Sequence, residues 1–168
     1  MSSNPYAAPR AAVGDIEDAQ EFQEVRMWSA SGRVGRLRYL AYTTGATLLA
    51  VLVATAAGLV LGAAVGSALG ILIYIVTVVF SILVAIQRSH DMDWSGWTVL
   101  LTIIPVVGLI WVFKAGSAGT NSYGAPPPPN TLGVKILGLL LPIVCIIGIL
   151  AAIAIPAYVE YTRRAAGG

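Results

Sequence analysis

Three long runs without charged residues dominate the chain, and the first is twice as long as the others. Asp, Glu, Lys and Arg are absent from residues 39–87, 94–113 and 136–159. A membrane-spanning helix needs about 20 residues, whereas one straight helix over 39–87 would be roughly 73 Å long, more than twice the hydrocarbon thickness of about 30 Å. The first run therefore predicts two helices joined by a turn.

The glycine-rich stretch 62–70 is the predicted turn, because glycine lets the backbone reverse. Pro105 lies in the middle of the third helix and is expected to bend it. The pattern thus predicts an all-α integral membrane bundle with four transmembrane helices, at about 39–62, 68–87, 96–113 and 136–158.

The basic residues are distributed unequally about these helices. With four spans, one side holds Arg26, Arg33, Arg36, Arg38, Arg88, Arg163 and Arg164, and the other holds Lys114 and Lys135. The positive-inside rule then predicts that both termini are cytoplasmic. The alternative makes 94–113 a re-entrant segment broken at Pro105, which leaves three spans and an exported C-terminus.

The connecting segments have a different composition. Residues 1–31 are rich in Pro, Ala and acidic side chains, which predicts a flexible cytoplasmic tail with a short helix near 15–25. Residues 115–134, Gly- and Ser-rich and then Pro-rich, predict a semi-extended spacer. This linker would separate a three-helix membrane core at 32–114 from a last helix with a short basic tail at 135–168.

The overall composition excludes two classes of protein. Apolar residues make up 57% and charged residues 11% of the chain, whereas about 25% charged residues is typical of soluble proteins. A soluble domain with so few charges could not keep its surface dispersed. The net charge of +2, without a dense basic stripe, also argues against a nucleic acid partner.

Small residues recur every fourth position from Ala46 to Gly70, a spacing that includes Ala54, Gly58 and Gly62. Such faces let helix backbones approach closely within a membrane. This face of small residues is interpreted either as packing within the chain or as a surface through which homo-oligomers form. Cys145 is the only cysteine, and its apolar surroundings predict a small packing residue.

Residues 32–124 resemble the bacterial membrane family catalogued as domain of unknown function 805. The resemblance rests on a Gly-Arg-Val-Gly-Arg motif before the first helix, Arg-Ser-His-Asp after the second, Ser-Gly-Trp at the start of the third, and Asn-Ser-Tyr-Gly after it. Its signature residues are Gly32, Arg33, Gly35, Arg36, Arg88, His90, Asp91, Ser95, Gly96, Trp97, Asn121, Tyr123 and Gly124. The resemblance implies a compact inner-membrane bundle and no established activity.

The ionisable residues in these motifs suggest two interpretations. Arg88, His90 and Asp91 lie together at a membrane surface, and Arg33, Arg36 and Arg38 on the same side could pair with Asp91 or Asp93. The first interpretation is a structural salt-bridge cluster that sets the register of the second and third helices. The second is an anion-binding or proton-handling site, because His titrates near neutral pH.

Residues 146–165 resemble the N-terminal hydrophobic helix of type IV pilins, through the string Gly-Ile-Leu-Ala-Ala-Ile-Ala-Ile-Pro-Ala-Tyr. Gly148, Ala152 and Pro156 in this string are predicted helix-packing positions. Val134 and Leu139 stand where pilins have the Gly before the cleavage site and the buried Glu. The resemblance permits helix-to-helix contact with a pilin or a pilus-assembly protein.

These observations predict a multi-pass protein of the bacterial inner membrane with the lipid bilayer as its environment. The sequence contains no recognisable nucleophile and base pair, metal motif or phosphate-binding loop, so neither an enzyme nor a cofactor is expected. The predicted function is an interaction or scaffold protein, associated with pilins or their assembly machinery. The alternative is a small transporter or channel-like bundle that uses Arg88, His90 and Asp91.

Overall fold

The computed structural model describes residues 22–167, which form four α-helices and one 3₁₀ helix. The α-helices are α1 (Arg36–Leu61), α2 (Ala63–Asp91), α3 (Pro105–Phe113) and α4 (Leu132–Ala166), and the 3₁₀ helix is Gly96–Ile103. Three of them, α1, α2 and α4, are long and apolar enough to cross a membrane. Since no strand occurs within residues 22–167, the predicted all-α membrane fold is confirmed.

A single glycine joins α1 to α2. Gly62 has φ +82° and ψ +163°, a conformation that L side chains rarely adopt, so the predicted turn over 62–70 is shortened to this residue. The four-residue series of small residues folds back on itself about Gly62. A Cβ at Gly66 would overlap the backbone of Gly58, and one at Gly70 would lie 3.8 Å from the Ala54 Cβ. This part of the series therefore packs within the chain.

The third apolar segment is broken at Ile104 rather than bent. Ile104 is extended, with φ −87° and ψ +110°, and Pro105 is the first residue of α3. Proline disfavours a helical conformation in the residue before it and is well accommodated at the first helical position. The eight residues of the 3₁₀ helix and the nine of α3 are about 16 Å and 14 Å long, so each covers about half of the hydrocarbon thickness.

Both ends of this segment lie at one end of the bundle, which we call the charged end, where α1 begins, α2 ends and α4 begins. A Cβ at Gly96 would lie 3.2 Å from His90 Nε2, and Arg36 Nη1 donates to the Phe113 carbonyl at 3.1 Å. A segment that returns to its starting end does not cross a bilayer. The prediction of one continuous helix over 96–113 is therefore wrong, the fourth span is not confirmed, and the geometry agrees with the re-entrant alternative.

Within the described residues, α4 packs against α1 and against no other helix. Gly138 lies against Leu37, and the Leu137 Cδ1 atom is 3.5 Å from the position of a Cβ at Gly45. Leu37 and Gly45 are about 12 Å apart along α1, so α4 crosses α1 over about this length. Beyond this crossing, the large apolar side chains from Ile143 to Tyr161 are 40–70% exposed.

The described part of the predicted tail and the predicted spacer are both attached to the charged end. Two hydrogen bonds hold residues 22–31, which belong to the predicted tail. Gln87 Nε2 donates to the Arg26 carbonyl at 2.9 Å, and Gln23 N donates to the Pro126 carbonyl at 3.0 Å. The predicted spacer is anchored by the bond from Arg38 Nη2 to the Pro129 carbonyl, at 3.0 Å. Residues 22–25 are not helical, and the rest of the predicted helix at 15–25 lies outside the described residues.

Candidate functional site

A buried carboxylate lies between two buried guanidinium groups at the charged end, and we call Arg33, Arg88 and Asp91 the ionic cluster. Arg33 Nη2 is 3.1 Å from Asp91 Oδ1, and Arg88 Nη1 is 2.6 Å from Asp91 Oδ2. The two arginine side chains are fully buried, and the Asp91 side chain is 4% exposed. Arg88 and Asp91 are one turn apart at the end of α2, whereas Arg33 comes from the segment before α1.

The loop after α3 closes over the ionic cluster with backbone carbonyls. Arg33 Nη1 donates to the carbonyls of Gly119 and Gly124, at 2.6 and 3.0 Å, and its Nη2 donates to that of Ser117 at 2.8 Å. Arg88 Nε donates to the Trp111 carbonyl at 2.9 Å, and its Nη2 donates to the Lys114 carbonyl. The loop is thus attached to α2 and to the start of α1 through the two arginines.

Every guanidinium nitrogen of Arg33 and Arg88 has an acceptor within the chain, and both Asp91 oxygens accept bonds. Two positive charges face one negative charge, and the carbonyl dipoles of the loop compensate the excess. Arg33 uses all five of its N–H donors, and Arg88 uses three of its five. Pairing of every charged group is the condition under which buried charges are tolerated. The arrangement therefore favours the structural interpretation of the cluster.

His90 and Asn121 hold the same loop from the other side. The His90 Nδ1–H donates to the Gly32 carbonyl at 3.2 Å, and its ring stacks on Tyr123 with centroids 3.8 Å apart. Asn121 Nδ2 donates to the His90 carbonyl at 2.8 Å. Gly124 closes the turn with φ +116°, which glycine adopts at low cost, and its carbonyl reaches Arg33.

Two further contacts fit the loop tightly against α2. Ser117 N donates to the Asp91 carbonyl at 2.7 Å, and Ser122 N donates to Asp93 Oδ1 at 3.1 Å. A Cβ at Gly116 would overlap the Asp91 carboxylate. The backbone at Gly116 therefore approaches the ionic cluster as closely as a residue without a side chain allows.

The other signature residues lie around the cluster without entering it. Gly35 precedes α1 and packs against Pro127, and Ser95 caps the 3₁₀ helix by accepting a bond from Trp97 N at 3.4 Å. The Trp97 side chain is 80% exposed. Arg36 bonds the Phe113 carbonyl and Arg38 the Pro129 carbonyl, so the expected pairing of these two arginines with Asp91 or Asp93 is wrong.

The structure adds residues that the motifs did not identify. Trp111 is fully buried, and its Nε1 donates to Ser89 Oγ at 3.0 Å, so it connects α3 to α2 beside Arg88. Gln87 Nε2 holds residues 26–29 through the carbonyls of Arg26 and Ser29. The sequence gives no sign of the hydrogen bond from Trp111, because this residue lies in an uninterrupted apolar run. Gln87 could have been identified, because it is a lone amide side chain at the end of 49 uncharged residues.

The predicted packing residues in α4 have no partner among the described residues. A Cβ at Gly148 would meet nothing within 4 Å, and Ala152 and Pro156 are exposed. Cys145 is exposed as well, so its predicted role as a packing residue has no partner among the described residues. In residues 22–167, no group of three or more His, Cys, Asp or Glu side chains could hold a metal ion.

Comparison with known proteins concerns the part of the chain that contains the ionic cluster. A family model described as "Protein of unknown function (DUF805)" matches residues 27–125. "Inner membrane protein YhaH" from Escherichia coli strain K12 and from E. coli O157:H7 are each 41% identical over 63 residues, which cover 31% of this chain and 52% of the relative. The chain thus spans about half the length of these curated relatives.

No solved structure matches the chain significantly. The name of the two relatives and the three long apolar helices support a location in the inner membrane. The family match ends at residue 125, before α4 begins, and the comparisons give no support to the pilin resemblance of residues 146–165.

Proposed function

The chain belongs to the DUF805 family, whose function is unknown, and from this premise we propose that it is a membrane-embedded interaction protein. In this proposal, α1, α2 and the re-entrant segment form a rigid anchor, and α4 binds a helix of another membrane protein. The observation that carries the proposal is the exposure of α4 beyond its crossing with α1.

The ionic cluster supports the anchor part of the proposal. Its guanidinium nitrogens are all bonded within the chain, so a substrate would have to displace a loop carbonyl or Asp91 to reach them. Displacement would leave a buried charge without a partner, which is costly. The burial and charge pairing of these side chains argue against the alternative of a transporter that binds its substrate at Arg88, His90 and Asp91.

The length of α4 and its limited packing against α1 support the proposal that α4 binds another membrane protein. The helix has 35 residues, but its packing against α1 is centred on Leu137 and Gly138 in its first turns. Gly148, Ala151 and Ala152 leave a surface of small residues beyond the crossing. Small residues allow close helix approach in lipid, where van der Waals packing drives association.

We propose that the partner is a pilin-type helix, because the pilin-like sequence falls on the unpartnered part of α4. Two apolar helices with small residues at spacings of three and four can pack without a change of charge on either partner. The DUF805 match does not extend to this part of the chain, so the partner proposal rests on the sequence of α4 alone.

Site-specific photocrosslinking in native membranes tests the proposal. A photoreactive amino acid at Ala152 should give one discrete protein adduct, to be identified by mass spectrometry. The same amino acid at Leu137, which lies against α1, should react within the chain and leave the mass on a gel unchanged.

A matched pair of glycine variants tests whether the adduct depends on the small-residue surface. Gly148 and Gly133 both have open space around them. Gly148→Leu should abolish the adduct at Ala152, and Gly133→Leu, at the start of α4, should preserve it. The absence of any protein adduct, or equal loss in both variants, would contradict the interaction function.

A further inference from the structure

An apolar groove opens between α2 and α4, with α1 as its floor. Its volume is about 590 Å³, and its walls include Met27, Trp28, Tyr42, Leu49, Phe80 and Leu137. Thr77 also faces the groove, but its hydroxyl donates to the Ile73 carbonyl at 2.8 Å. The groove thus has an apolar lining that suits a hydrocarbon chain.

The groove extends from the charged end to about the middle of the bundle. The α1 residues along it run from Ala41 to Val53, a distance of about 18 Å. Half of the hydrocarbon core of a bilayer is about 15 Å thick. The groove therefore has the length of an acyl chain in the leaflet on the side of the charged end.

A buried cation with unused hydrogen-bond donors lies one helical turn before the first α1 residues of the groove. Arg38 is 4% exposed and is one helical turn before Ala41 and Tyr42, on the same face of α1. Its Nη2 donates to the Pro129 carbonyl. Among the described residues, neither its Nε nor its Nη1 has an acceptor.

Burial of a guanidinium with two unbonded nitrogens is costly, and an anion from outside the chain would satisfy both of them. Arg38 adjoins Tyr39, the first residue of the uncharged run, which places it at the level of the lipid headgroups. Phosphate oxygens form strong, charge-assisted hydrogen bonds with guanidinium groups. Trp28, tilted on Phe80 with centroids 5.3 Å apart, adds an aromatic side chain of the kind found at membrane interfaces.

We propose that this groove binds one anionic phospholipid, with an acyl chain between α2 and α4 and the phosphate accepting hydrogen bonds from Arg38. The site uses the first turns of α4 and not its exposed part. It is therefore independent of the partner helix proposed above, and either proposal can fail without the other.

Lipid retention by the purified full-length protein tests the site. The delipidated protein is incubated with phosphatidylglycerol or phosphatidylethanolamine of identical acyl chains, and bound lipid is counted by native mass spectrometry. We expect one tightly held phosphatidylglycerol and a preference over phosphatidylethanolamine of about tenfold, because both lipids carry the phosphate but the ammonium group of phosphatidylethanolamine offsets its negative charge. Equal retention of the two lipids would overturn the proposal.

Two charge variants separate a built site from general attraction to basic residues. Arg38→Gln should remove the preference for phosphatidylglycerol, whereas Lys135→Gln, which removes an exposed charge at the same end, should keep it. Equal loss in both variants would overturn the proposal. Arg38→Lys retains the charge and should retain part of the preference for phosphatidylglycerol. This variant tests the site if Arg38→Gln does not fold.

Two further measurements test the groove and the source of the phosphate. Ala46→Phe adds bulk to the groove without a change of charge and should lower retention of both lipids. Unchanged retention would show that the groove does not hold the acyl chain. Inorganic phosphate should not displace the bound phosphatidylglycerol, and displacement would assign Arg38 to a free-phosphate site and overturn the lipid proposal.

Discussion

Arg33 Nη2 lies 3.1 Å from Asp91 Oδ1, although the two residues are 58 positions apart in the chain. The pair joins the segment before α1 to the last residue of α2, and the loop carbonyls of residues 117–124 bond to the same guanidinium. The charged end is thus held together by ionic and hydrogen-bonded contacts, whereas the apolar hairpin is held by close packing of small residues.

Removal of the carboxylate should be the most damaging change at the charged end. Asp91→Asn leaves two buried guanidinium groups without a counter-charge and should lower the free energy of unfolding by about 3–5 kcal/mol. His90→Ala should cost less, about 1–3 kcal/mol, because it leaves one neutral acceptor unpaired. Unfolding in detergent, followed by circular dichroism, measures both.

The exposed pair between Arg164 and Glu160 in α4 is the control for Asp91→Asn. Its nitrogen and oxygen are 2.8 Å apart, but both side chains are open to their surroundings, so Glu160→Gln should change stability by about 0–1 kcal/mol. If His90→Ala leaves stability unchanged and abolishes a cellular phenotype, the structural interpretation of the cluster is wrong.

The loop should not tolerate a side chain at Gly116. A methyl group there would overlap Asp91 Oδ2, which cannot move without loss of its bond from Arg88. We expect Gly116→Ala to lower stability by about 1–3 kcal/mol, the usual cost of overpacking. Gly133→Ala, in open space at the start of α4, is the control and should be neutral or slightly stabilising; equal thermal midpoints for the two variants would contradict the close contact between Gly116 and Asp91.

Alanine substitutions at the two facing glycines of the α1–α2 hairpin should have opposite effects on stability. A Cβ at Gly66 would overlap the Gly58 backbone, so Gly66→Ala should force the helices apart and cost about 1–3 kcal/mol. A Cβ at Gly58 meets nothing within 4 Å, and Gly58→Ala should gain about 0.5–1 kcal/mol from helix propensity. Unfolding in increasing SDS measures the difference, and the reverse order would refute the close approach of the two helices at Gly66.

Membrane topology follows from the re-entrant segment. Of the nine Arg and Lys in the described residues, Arg163 and Arg164 lie at the end of α4, and the other seven lie at or near the charged end. The positive-inside rule then predicts a cytoplasmic charged end. Since α4 begins at this end, a spanning α4 places the C-terminus in the periplasm.

Cysteine labelling checks this topology, since replacement of Cys145 by Ser leaves a cysteine-free background. In that background, Ala165→Cys should react with an impermeant maleimide in intact cells, and Asn130→Cys should react only after permeabilisation. The opposite pattern, with Asn130→Cys labelled and Ala165→Cys protected in intact cells, would restore the four-span prediction.

The distribution of charged and apolar residues was sufficient to predict an all-α membrane protein, the hairpin between residues 39 and 87 and the last helix. These features depend on local hydropathy, since a helix in lipid must satisfy its own backbone hydrogen bonds. The motifs also indicated that Arg88, His90 and Asp91 lie together at a membrane surface, because they follow directly after the second predicted helix. Gly62 could be identified as part of a turn from its neighbours in the sequence alone.

The tertiary structure decided which arginine reaches Asp91, how the linker is anchored and whether residues 96–113 cross the membrane. Arg33, Arg36 and Arg38 have the same charge and nearly the same position in the sequence, but the folded loop gives each a different acceptor. Pro105 is compatible with a bend or a break, and the choice depends on bonds from Arg36 and Arg88 to the end of α3. Such contacts join residues 23 to 91 positions apart, so local hydropathy and spacing contain no information about them.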